Sequence, residues 1–370
     1  LYGVLRGETP GEEESPNTSP TFALIQRNEA IDFALTLERE EAIFQSYVRG
    51  AVLAAADPNR EVAIDAYVFP ESVFTGGRPW RDLQPDAVVP ESYAAQGVDQ
   101  EMFERGVRID QEMFQERNRQ VLQQIRLATA TRPNDRSEGV SGVKSGPQLL
   151  AGVPTIRHDE RAHVHSSMVQ VDATGQVVDY FAKTHLVMFG EYAPVLPWIP
   201  FLRDLVPAGL VLEPGSEPVA LTLPTQSGQC IVQPNICVET AIERVTVNHT
   251  RRLIAQRTSP QVIVNITNDA WFDGTAILDH HVRCSQFVAI ACRRPIVMAS
   301  NTGPTLHINS SGRILQRLPY RTDGHLFVTP AFDGRHGLYL LLGDLLVYPL
   351  ACLCLIWMGL GFLDWRKRTR

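Results

Sequence analysis

The sequence predicts an α/β fold followed by a C-terminal transmembrane helix, and three observations lead to this prediction. Short runs of β-branched residues alternate with amphipathic helical stretches along most of the chain, which is typical of layered α/β domains. The 370 residues include 44% hydrophobic and 20% charged side chains, which is enough for a large folded core. Near the end of the chain, nineteen consecutive residues carry no charge. The chain therefore combines a layered domain with one segment that is apolar on all sides.

The strands and helices follow from the hydrophobic periodicity, taken in chain order. Strands are predicted at residues 21–26, 62–69, 149–156, 167–172, 219–223, 230–236, 262–267, 296–299, 305–309 and 326–329. Helices are predicted at residues 36–56, 99–129, 240–257 and 279–293. All of these elements belong to one predicted domain, residues 21–335. Because the stretch 99–129 is strongly polar and a Gly/Ser-rich segment at 134–146 follows it, both are interpreted as a surface insertion.

Residues 1–20 precede the predicted domain and contain the acidic, proline-rich stretch GETPGEEESPNTSP. Such a composition buries almost no apolar surface and is typical of a linker. The chain also begins with leucine and not with methionine. We therefore expect residues 1–20 to be a linker left from a missing N-terminal membrane region.

Residues 336–370 are predicted to form a transmembrane helix and a basic cytoplasmic tail. As a helix, the uncharged stretch 345–363 would span roughly 28 Å, close to the hydrocarbon thickness of a bilayer. It contains Pro349, which a membrane helix tolerates, and the sequence DWRKRTR with four basic residues follows it. By the positive-inside tendency, the tail lies in the cytoplasm and the domain on the outer face. The alternative is a buried core helix with a solvated tail.

Charge and cysteine content argue against several classes of protein. The 34 basic and 41 acidic residues give a net charge of −7, which argues against nucleic-acid binding. Six cysteines, all late in the chain, are too few for a disulfide scaffold. Asp279, His280, His281 and Cys284 crowd one helical turn, but adjacent histidines point about 100° apart and no second cluster adds ligands. The sequence therefore predicts neither a metal nor another cofactor.

A glutamate follows a predicted strand, and a lysine lies within a mostly apolar run. Glu71 follows an apolar strand and a proline, and a partly desolvated carboxylate there would act as a general base. The alternative is a solvated loop glutamate. Lys183 lies within the mostly apolar run YFAKTHLVMFGEY, with Glu191 eight residues later. Its ammonium group could stabilise a developing oxyanion, or it could be a surface group whose stem packs on apolar neighbours.

A cysteine and a polar loop follow two further predicted strands. Cys237 ends a strand, and a helix is predicted within three residues, so the helix dipole would favour its thiolate form. The alternative is a buried structural cysteine, and Cys230, earlier in the strand, is interpreted as ordinary core. The stretch NITNDAWF runs from an apolar strand into Asn268, Trp271 and Phe272. It suits either a loop lining an apolar cleft or a turn folded back onto the core.

These four stretches, in this order, resemble the carbon–nitrogen hydrolase (nitrilase) superfamily, whose active site is a Glu-Lys-Cys triad. The runs YFAKTHLVMFGEY at 180–192, NDAWF at 268–272 and NTGPT at 301–305 resemble the apolipoprotein N-acyltransferase branch. The resemblance covers the chain from about residue 22 to the C-terminus. It implies an αββα sandwich on the periplasmic face of the bacterial inner membrane, followed by a membrane helix.

Residue by residue, the resemblance implies that Glu71 is the general base and Cys237 the acylated nucleophile. Lys183 is then the cation that stabilises the oxyanion. Glu191 and Glu239 match two supporting glutamates of the family.

The resemblance also implies the substrates. The acyl donor would be a phospholipid, and the acceptor would be the N-terminal amine of a diacylglyceryl-cysteine lipoprotein. The reaction would be ping-pong, with a thioester on the cysteine. Asn268, Trp271 and Phe272 are assigned to substrate binding, and Trp198 with the apolar stretch 195–202 is assigned to the acyl chains.

Three positions depart from the family pattern. Val238 stands where the family usually has tyrosine, Ala291 stands where it has glutamate, and an expected tryptophan is missing between Gln26 and Phe44. One alternative is a membrane-anchored carbon–nitrogen hydrolase, an amidase or nitrilase that uses water as its second nucleophile. Another is a catalytically silent, anchored binding domain, and the presence of all three triad residues argues against it.

Overall fold

Two mixed β-sheets lie face to face and are covered on their outer sides by helices in the computed structural model. The structure describes residues 19–30, 36–130, 146–192, 212–225, 228–272 and 274–368. Most of the predicted linker at 1–20 lies outside these ranges. So do residues 134–145 of the predicted insertion, Trp198 and the stretch 195–202.

In chain order, the strands are β1 (Phe22–Gln26), β2 (Ala66–Val68), β3 (Trp80–Leu83), β4 (Gln148–His158), β5 (Ala162–Val171), β6 (Val177–Ala182), β7 (Leu221–Thr225), β8 (Gly228–Ile236), β9 (Val262–Thr267), β10 (Ile296–Ser300), β11 (Leu306–Ile308), β12 (Ile314–Arg317) and β13 (Gly324–Val328). The helices are α1 (Leu37–Ala56), α2 (Glu91–Ala94), α3 (Gln100–Ala130), α4 (Glu243–Ala255), α5 (Ile277–Cys292), α6 (Leu338–Leu342) and α7 (Val347–Arg368). Short 3₁₀ helices are Cys237–Thr240, Asp269–Phe272 and Gly343–Leu346.

The first sheet has the strand order β13-β1-β2-β4-β5-β6, with β3 paired to β4, and the second has the order β12-β11-β10-β9-β8-β7. Parallel pairs lie at the centre of each sheet: β1 with β2 and β2 with β4 in the first, β8 with β9 and β9 with β10 in the second. Because parallel strands point the same way, their carboxyl ends lie at one edge of each sheet. The loops after β2, β8 and β9 begin there.

Successive side chains of the central strands point to opposite faces of each sheet, and this alternation forms the layers. In β1, Phe22 and Leu24 pack into the core between the two sheets, whereas Ala23 and Ile25 pack toward helices α1 and α3. In β9, Val264 lies in the same inter-sheet core, while Ile263 packs with side chains of α5. Strands buried on both faces read as continuous apolar runs. The αββα sandwich implied by the sequence is confirmed.

Helix α3 is part of the layer over the first sheet, so its interpretation as a surface insertion is wrong. Its buried residues recur at helical spacing and include Phe114, Val121, Leu122 and Ile125, which pack in one core with α1 and the first sheet. The charged residues occupy the opposite, solvated face. Because they outnumber the buried apolar residues, the narrow apolar face was not recognised in the sequence.

The C-terminal helix α7 is exposed along its length. The stretch from Leu338 to Arg366 is, in the described part of the chain, the one segment long and apolar enough to cross a membrane, and none of its apolar window is buried. The alternative of a buried core helix is therefore wrong. Pro349 lies in the first turn of α7, where a backbone N–H has no helical partner, so it does not interrupt the helix.

Packing between the sheets gives a prediction for stability. Leu24 is fully buried in the inter-sheet core. We expect Leu24→Ala to lower the free energy of unfolding by about 2–5 kcal/mol, because it removes buried apolar surface and leaves a cavity. Thermal unfolding of the detergent-solubilised protein measures this, with Leu53→Ala as the control since Leu53 is 59% exposed. Equal melting temperatures for the two variants would contradict the layer assignment.

Candidate active site

Lys183 is a fully buried lysine at the end of β6. Its Nζ donates to Glu71 Oε1 at 3.1 Å and to Glu191 Oε1 at 2.6 Å. Burial by itself lowers the pKa of the ammonium group, but the adjacent carboxylates of Glu71 and Glu191 outweigh burial and hold the pKa well above 10.5. Lys183 is therefore a permanent cation in the protein interior, and the alternative of a surface lysine is wrong.

Glu71 follows β2 in a tight bend that the neighbouring strand supports. Its Oε1 also accepts from Ser166 Oγ at 3.2 Å, and its Oε2 lies 3.4 Å from the backbone N–H of Asn268. Gly152 of β4 packs directly beneath the bend, where a Cβ atom would lie 2.5 Å from the Cα of Glu71. A glycine is therefore required at residue 152, and the alternative of a solvated loop glutamate at residue 71 is wrong because the residue is only 7% exposed.

Cys237 begins the 3₁₀ helix after β8 with a φ of 51°, a left-handed conformation that non-glycine residues rarely adopt. Its pKa is raised well above the ordinary 9.0, by burial first and by the charge of Glu71 second, while Lys183 opposes the shift. The expectation that a helix dipole favours the thiolate is therefore wrong. The following turn is only four residues long, and α4 begins later, at Glu243. Cys237 is a neutral thiol at rest.

The other buried thiol of β8 is a core residue, as the sequence predicted. Cys230 is fully buried between the sheets with Leu223 and Val232. Its charged neighbour is Asp65 and not the glutamate–lysine group. Cys237 is therefore the thiol that meets the buried lysine.

Glu239 connects the lysine loop to the cysteine turn. Its Oε1 accepts from the backbone N–H and the hydroxyl of Thr184, at 2.8 and 2.7 Å, and from the N–H of His185 at 3.2 Å. Its Oε2 accepts from the N–H of Ile236 at 2.8 Å. Burial raises its pKa to about 7, and these hydrogen bonds oppose the shift. Glu239 thus fixes residues 184–185 against the residue before Cys237.

The three residues assigned to substrate binding lie in different environments. The side chain of Asn268 accepts from Asn301 Nδ2 at 3.0 Å, so it is engaged within the protein. Trp271 is 58% exposed and Phe272 is half-buried, both in the 3₁₀ helix after β9. Of the three, Trp271 presents the most surface to a ligand.

Several residues of the site were missed from the sequence. Ser166 lies on β5, and Thr184 lies beside the lysine. Thr267 ends β9 and forms a hydrogen bond that lowers the pKa of Cys237. Asn301, in the NTGPT motif, accepts from Tyr47 Oη at 2.7 Å as well as donating to Asn268. For Asn301, the motif itself was the available signal; a single serine or threonine on a strand gives none.

The histidines and Cys284, which the sequence analysis discounted as metal ligands, contact other side chains. His281 of α5 lies against Asp269, with Nδ1 3.2 Å from Oδ2, and against Thr240, with Nε2 2.8 Å from Oγ1. Cys284 lies 3.6 Å from His280 Nε2. Over the described ranges, no group of three or more His, Cys, Asp or Glu side chains is arranged to hold a metal ion.

The charges around Cys237 give a prediction for its reactivity. Because burial and, second to it, the charge of Glu71 raise the pKa of the thiol, we expect the rate of iodoacetamide alkylation of Cys237 to keep rising above pH 9.0. Glu71→Gln removes one negative charge and should move the midpoint to lower pH. Mass spectrometry of the modified peptide measures the rate, and Glu160→Gln on the exposed surface is the control. A midpoint unchanged by Glu71→Gln would contradict this electrostatic assignment.

Comparisons with known proteins found similar sequences and a similar fold. No family model matches the sequence. The chain is 36% identical over 381 residues to a protein of Rhodopirellula baltica named apolipoprotein N-acyltransferase, and the match covers 100% of this chain and 62% of that protein. A protein of the same name from Nitrosomonas europaea is 31% identical over 191 residues, 51% of this chain and 36% of that protein. The chain therefore spans about three fifths or less of the length of these relatives.

Among solved structures, an amidase from Nesterenkonia sp. has a similar fold. The TM-score is 0.50 at 15% sequence identity, and the match covers 92% of this chain and 99% of the amidase. The chain is thus similar over its full length to one protein named apolipoprotein N-acyltransferase and over about half of its length to another, and it has a mixed α/β, nitrilase-like fold.

Proposed function

We propose that this chain carries the catalytic domain of an apolipoprotein N-acyltransferase, at residues 21–335. It would move an acyl chain from a phospholipid, through a thioester on Cys237, to the N-terminal amine of a diacylglyceryl-cysteine lipoprotein. The observation that carries the proposal is the buried ammonium group of Lys183, held by Glu71 and Glu191 beside the Cys237 thiol. The names of the relatives that match the chain support the choice of substrates.

In the acylation half-reaction, Glu71 takes the proton of the Cys237 thiol as sulfur attacks the ester carbonyl. A neutral resting thiol needs such a base, and Glu71 is the carboxylate whose charge acts most strongly on it. The carbonyl π electrons move to oxygen, where the ammonium group of Lys183 stabilises the negative charge. The tetrahedral intermediate then collapses. The C–O bond to the glycerol breaks, Glu71 returns the proton to that oxygen, and a lysophospholipid leaves.

In the transfer half-reaction, the free α-amine of the lipoprotein attacks the thioester. Glu71 accepts a proton from the attacking nitrogen, and Lys183 again stabilises the oxyanion. The C–S bond breaks, and the proton held by Glu71 returns to sulfur. The products are an amide on the lipoprotein and the neutral Cys237 thiol with which the cycle began.

The remaining predicted residues have supporting roles in this proposal. Glu191 is the second counter-ion of Lys183, and its Oε2 accepts from the N–H of Val187 at 2.8 Å, which holds the intervening loop. Exposed Met188 and Phe189 lie on this loop, as Trp271 does on the loop after β9. Apolar side chains on the two loops that flank the triad suit contact with acyl chains. Phe272 adds to this surface, whereas Asn268 orients the Glu71 bend through its backbone.

Residues 336–370 are proposed to cross the inner membrane, with the basic tail in the cytoplasm and the catalytic domain in the periplasm. The exposed, uncharged helix α7 and the charges that follow it support this orientation. Anchoring raises the effective concentration of two substrates that both reside in the bilayer.

The thioester gives a direct test of the proposed reaction. Incubation of the membrane-embedded protein with phospholipid labelled in its acyl chain should give a protein adduct that hydroxylamine releases. Cys237→Ser should abolish this adduct, because the proposed reaction forms a thioester on sulfur. Radiolabel on the isolated peptide measures it.

The control in that experiment is Cys230→Ala, which removes the neighbouring buried thiol and should leave the adduct in place. An adduct that survives Cys237→Ser would contradict the nucleophile assignment. A wild-type protein that forms no adduct but releases ammonia from amides would instead be a carbon–nitrogen hydrolase.

The orientation has its own test, by labelling engineered thiols with a membrane-impermeant maleimide. Arg368→Cys, at the end of α7, should be labelled only in inside-out vesicles. Gln96→Cys, on the exposed surface of the domain, should be labelled only in right-side-out cells stripped of their outer membrane. Labelling of both positions from the same side would overturn the proposed membrane crossing.

A further inference from the structure

A chain of buried polar groups leads from the loop after β9 to the backbone of the nucleophile. Asp269 Oδ2 lies 3.2 Å from His281 Nδ1, and His281 Nε2 lies 2.8 Å from Thr240 Oγ1. The Thr240 hydroxyl donates to the carbonyl oxygen of Cys237 at 3.3 Å. Asp269, His281 and Thr240 are 2%, 5% and 0% exposed, so the chain is shielded from water. None of the three takes part in the proposed acyl-transfer steps.

The direction of these hydrogen bonds follows from the number of protons. A threonine hydroxyl has one proton, so when Thr240 donates to the Cys237 carbonyl it must accept from Nε2–H of His281. The carboxylate of Asp269 accepts a further hydrogen bond from Thr267 Oγ1, at 2.9 Å, and can only accept from Nδ1–H. The hydrogen bonds thus connect the carboxylate of Asp269, through the ring of His281, to the hydroxyl that donates to the Cys237 carbonyl.

The backbone at Cys237 needs such support. Its φ of 51° is unfavourable for a residue with a side chain and persists only where the surroundings enforce it. On the N-terminal side of Cys237, the N–H of Ile236 donates to the carboxylate of Glu239. From the C-terminal side, Thr240 holds the carbonyl of Cys237. In helices, a threonine hydroxyl often donates to the carbonyl three residues earlier. Here the Thr240 hydroxyl also contacts His281, and His281 contacts Asp269, which follows a different strand of the sheet.

We propose that Asp269, His281 and Thr240 form a positioning relay that holds the strained turn at Cys237, so that its sulfur stays beside Glu71 and Lys183. The relay fixes the carbonyl of Cys237, and with it the direction of the Cα–Cβ bond. Asp269 lies at the start of the NDAWF loop, so the relay also ties that loop to the nucleophile. Its contribution to acyl transfer rests on the proposed function; its effect on the thiol does not.

The test compares the thiol of Cys237 in variants that break the relay at two points. Thr240→Val keeps the shape of the side chain and removes the hydroxyl. In His281→Asn, the shorter amide group can still reach Asp269 from near the Nδ1 position but cannot reach Thr240. In both variants we expect the turn to relax and the thiol to leave its buried, negatively charged surroundings. The pH midpoint of iodoacetamide alkylation should then fall from its raised position toward the ordinary 9.0.

With labelled phospholipid, both variants should lower the rate of acyl-adduct formation about tenfold. This corresponds to about 1.4 kcal/mol in the barrier, which is in the range for one buried hydrogen bond. The phospholipid concentration for half-maximal rate should stay unchanged. The double variant should lose no more than either single variant, because both interrupt one path. Thr240→Ser retains the hydroxyl and should behave as the wild type does.

The matched control is Thr250→Val, which removes a fully buried threonine hydroxyl from α4, where Thr250 donates to Gln233 rather than to the cysteine turn. It should leave the alkylation midpoint unchanged. The proposal is overturned by a wild-type midpoint in Thr240→Val and His281→Asn, or by an equal shift in Thr250→Val. If the wild-type protein forms no acyl adduct, the proposed function fails, and the alkylation midpoints still decide whether the relay exists.

Discussion

The ammonium group of Lys183 is the constraint on which the site depends. Removing a lysine charge from water costs several kcal/mol, and only close, well-directed counter-ions offset this cost. Lys183 has two, Glu71 and Glu191, which come from a different strand end and from its own loop. Breaking such a buried pair by removal of one partner typically costs about 3–5 kcal/mol. The fold must therefore bring β2, β6 and the loop after β6 together before the lysine can be buried at all.

The same arrangement explains why the thiol is neutral at rest. Burial disfavours a thiolate at Cys237, and the negative charges of Glu71 and Asp269 add to this effect while Lys183 opposes it. Reactivity therefore cannot come from a preformed anion, and the proton must leave as the sulfur attacks. In the proposed reaction, Glu71 would receive it, and Lys183 would lie where negative charge appears later, on the substrate oxygen. In that reaction, Lys183 would stabilise the transition state more than the resting enzyme, and only such differential stabilisation accelerates a reaction.

The sequence predicted the layers and the three central site residues because both leave local patterns. Strand 262–267 was predicted with the bounds that the structure shows, since its residues are apolar on both faces. Strands β3, β6 and β12 were missed because most of their residues are half-buried or exposed and lack that signal. Glu71 and Cys237 were singled out because each lies at the end of a predicted strand, and Lys183 because it lies in a mostly apolar run. The extent of burial could not be predicted from the sequence. Because burial raises the pKa of the Cys237 thiol, the expectation of a thiolate was wrong.

Whether a thioester on this scaffold is hydrolysed or aminolysed depends on what reaches it. In the proposed mechanism, the triad would activate water and an amine by the same proton transfer, so Glu71, Lys183 and Cys237 would not by themselves choose between them. Cys237 is only 8% exposed, and the exposed Met188, Phe189 and Trp271 lie on the loops beside it. In the proposed reaction, an acyl chain resting on these side chains would exclude water from the thioester, and an amine delivered on a lipid-anchored substrate would reach it from the membrane. Selectivity then comes from the apolar loops and the bilayer rather than from the catalytic groups.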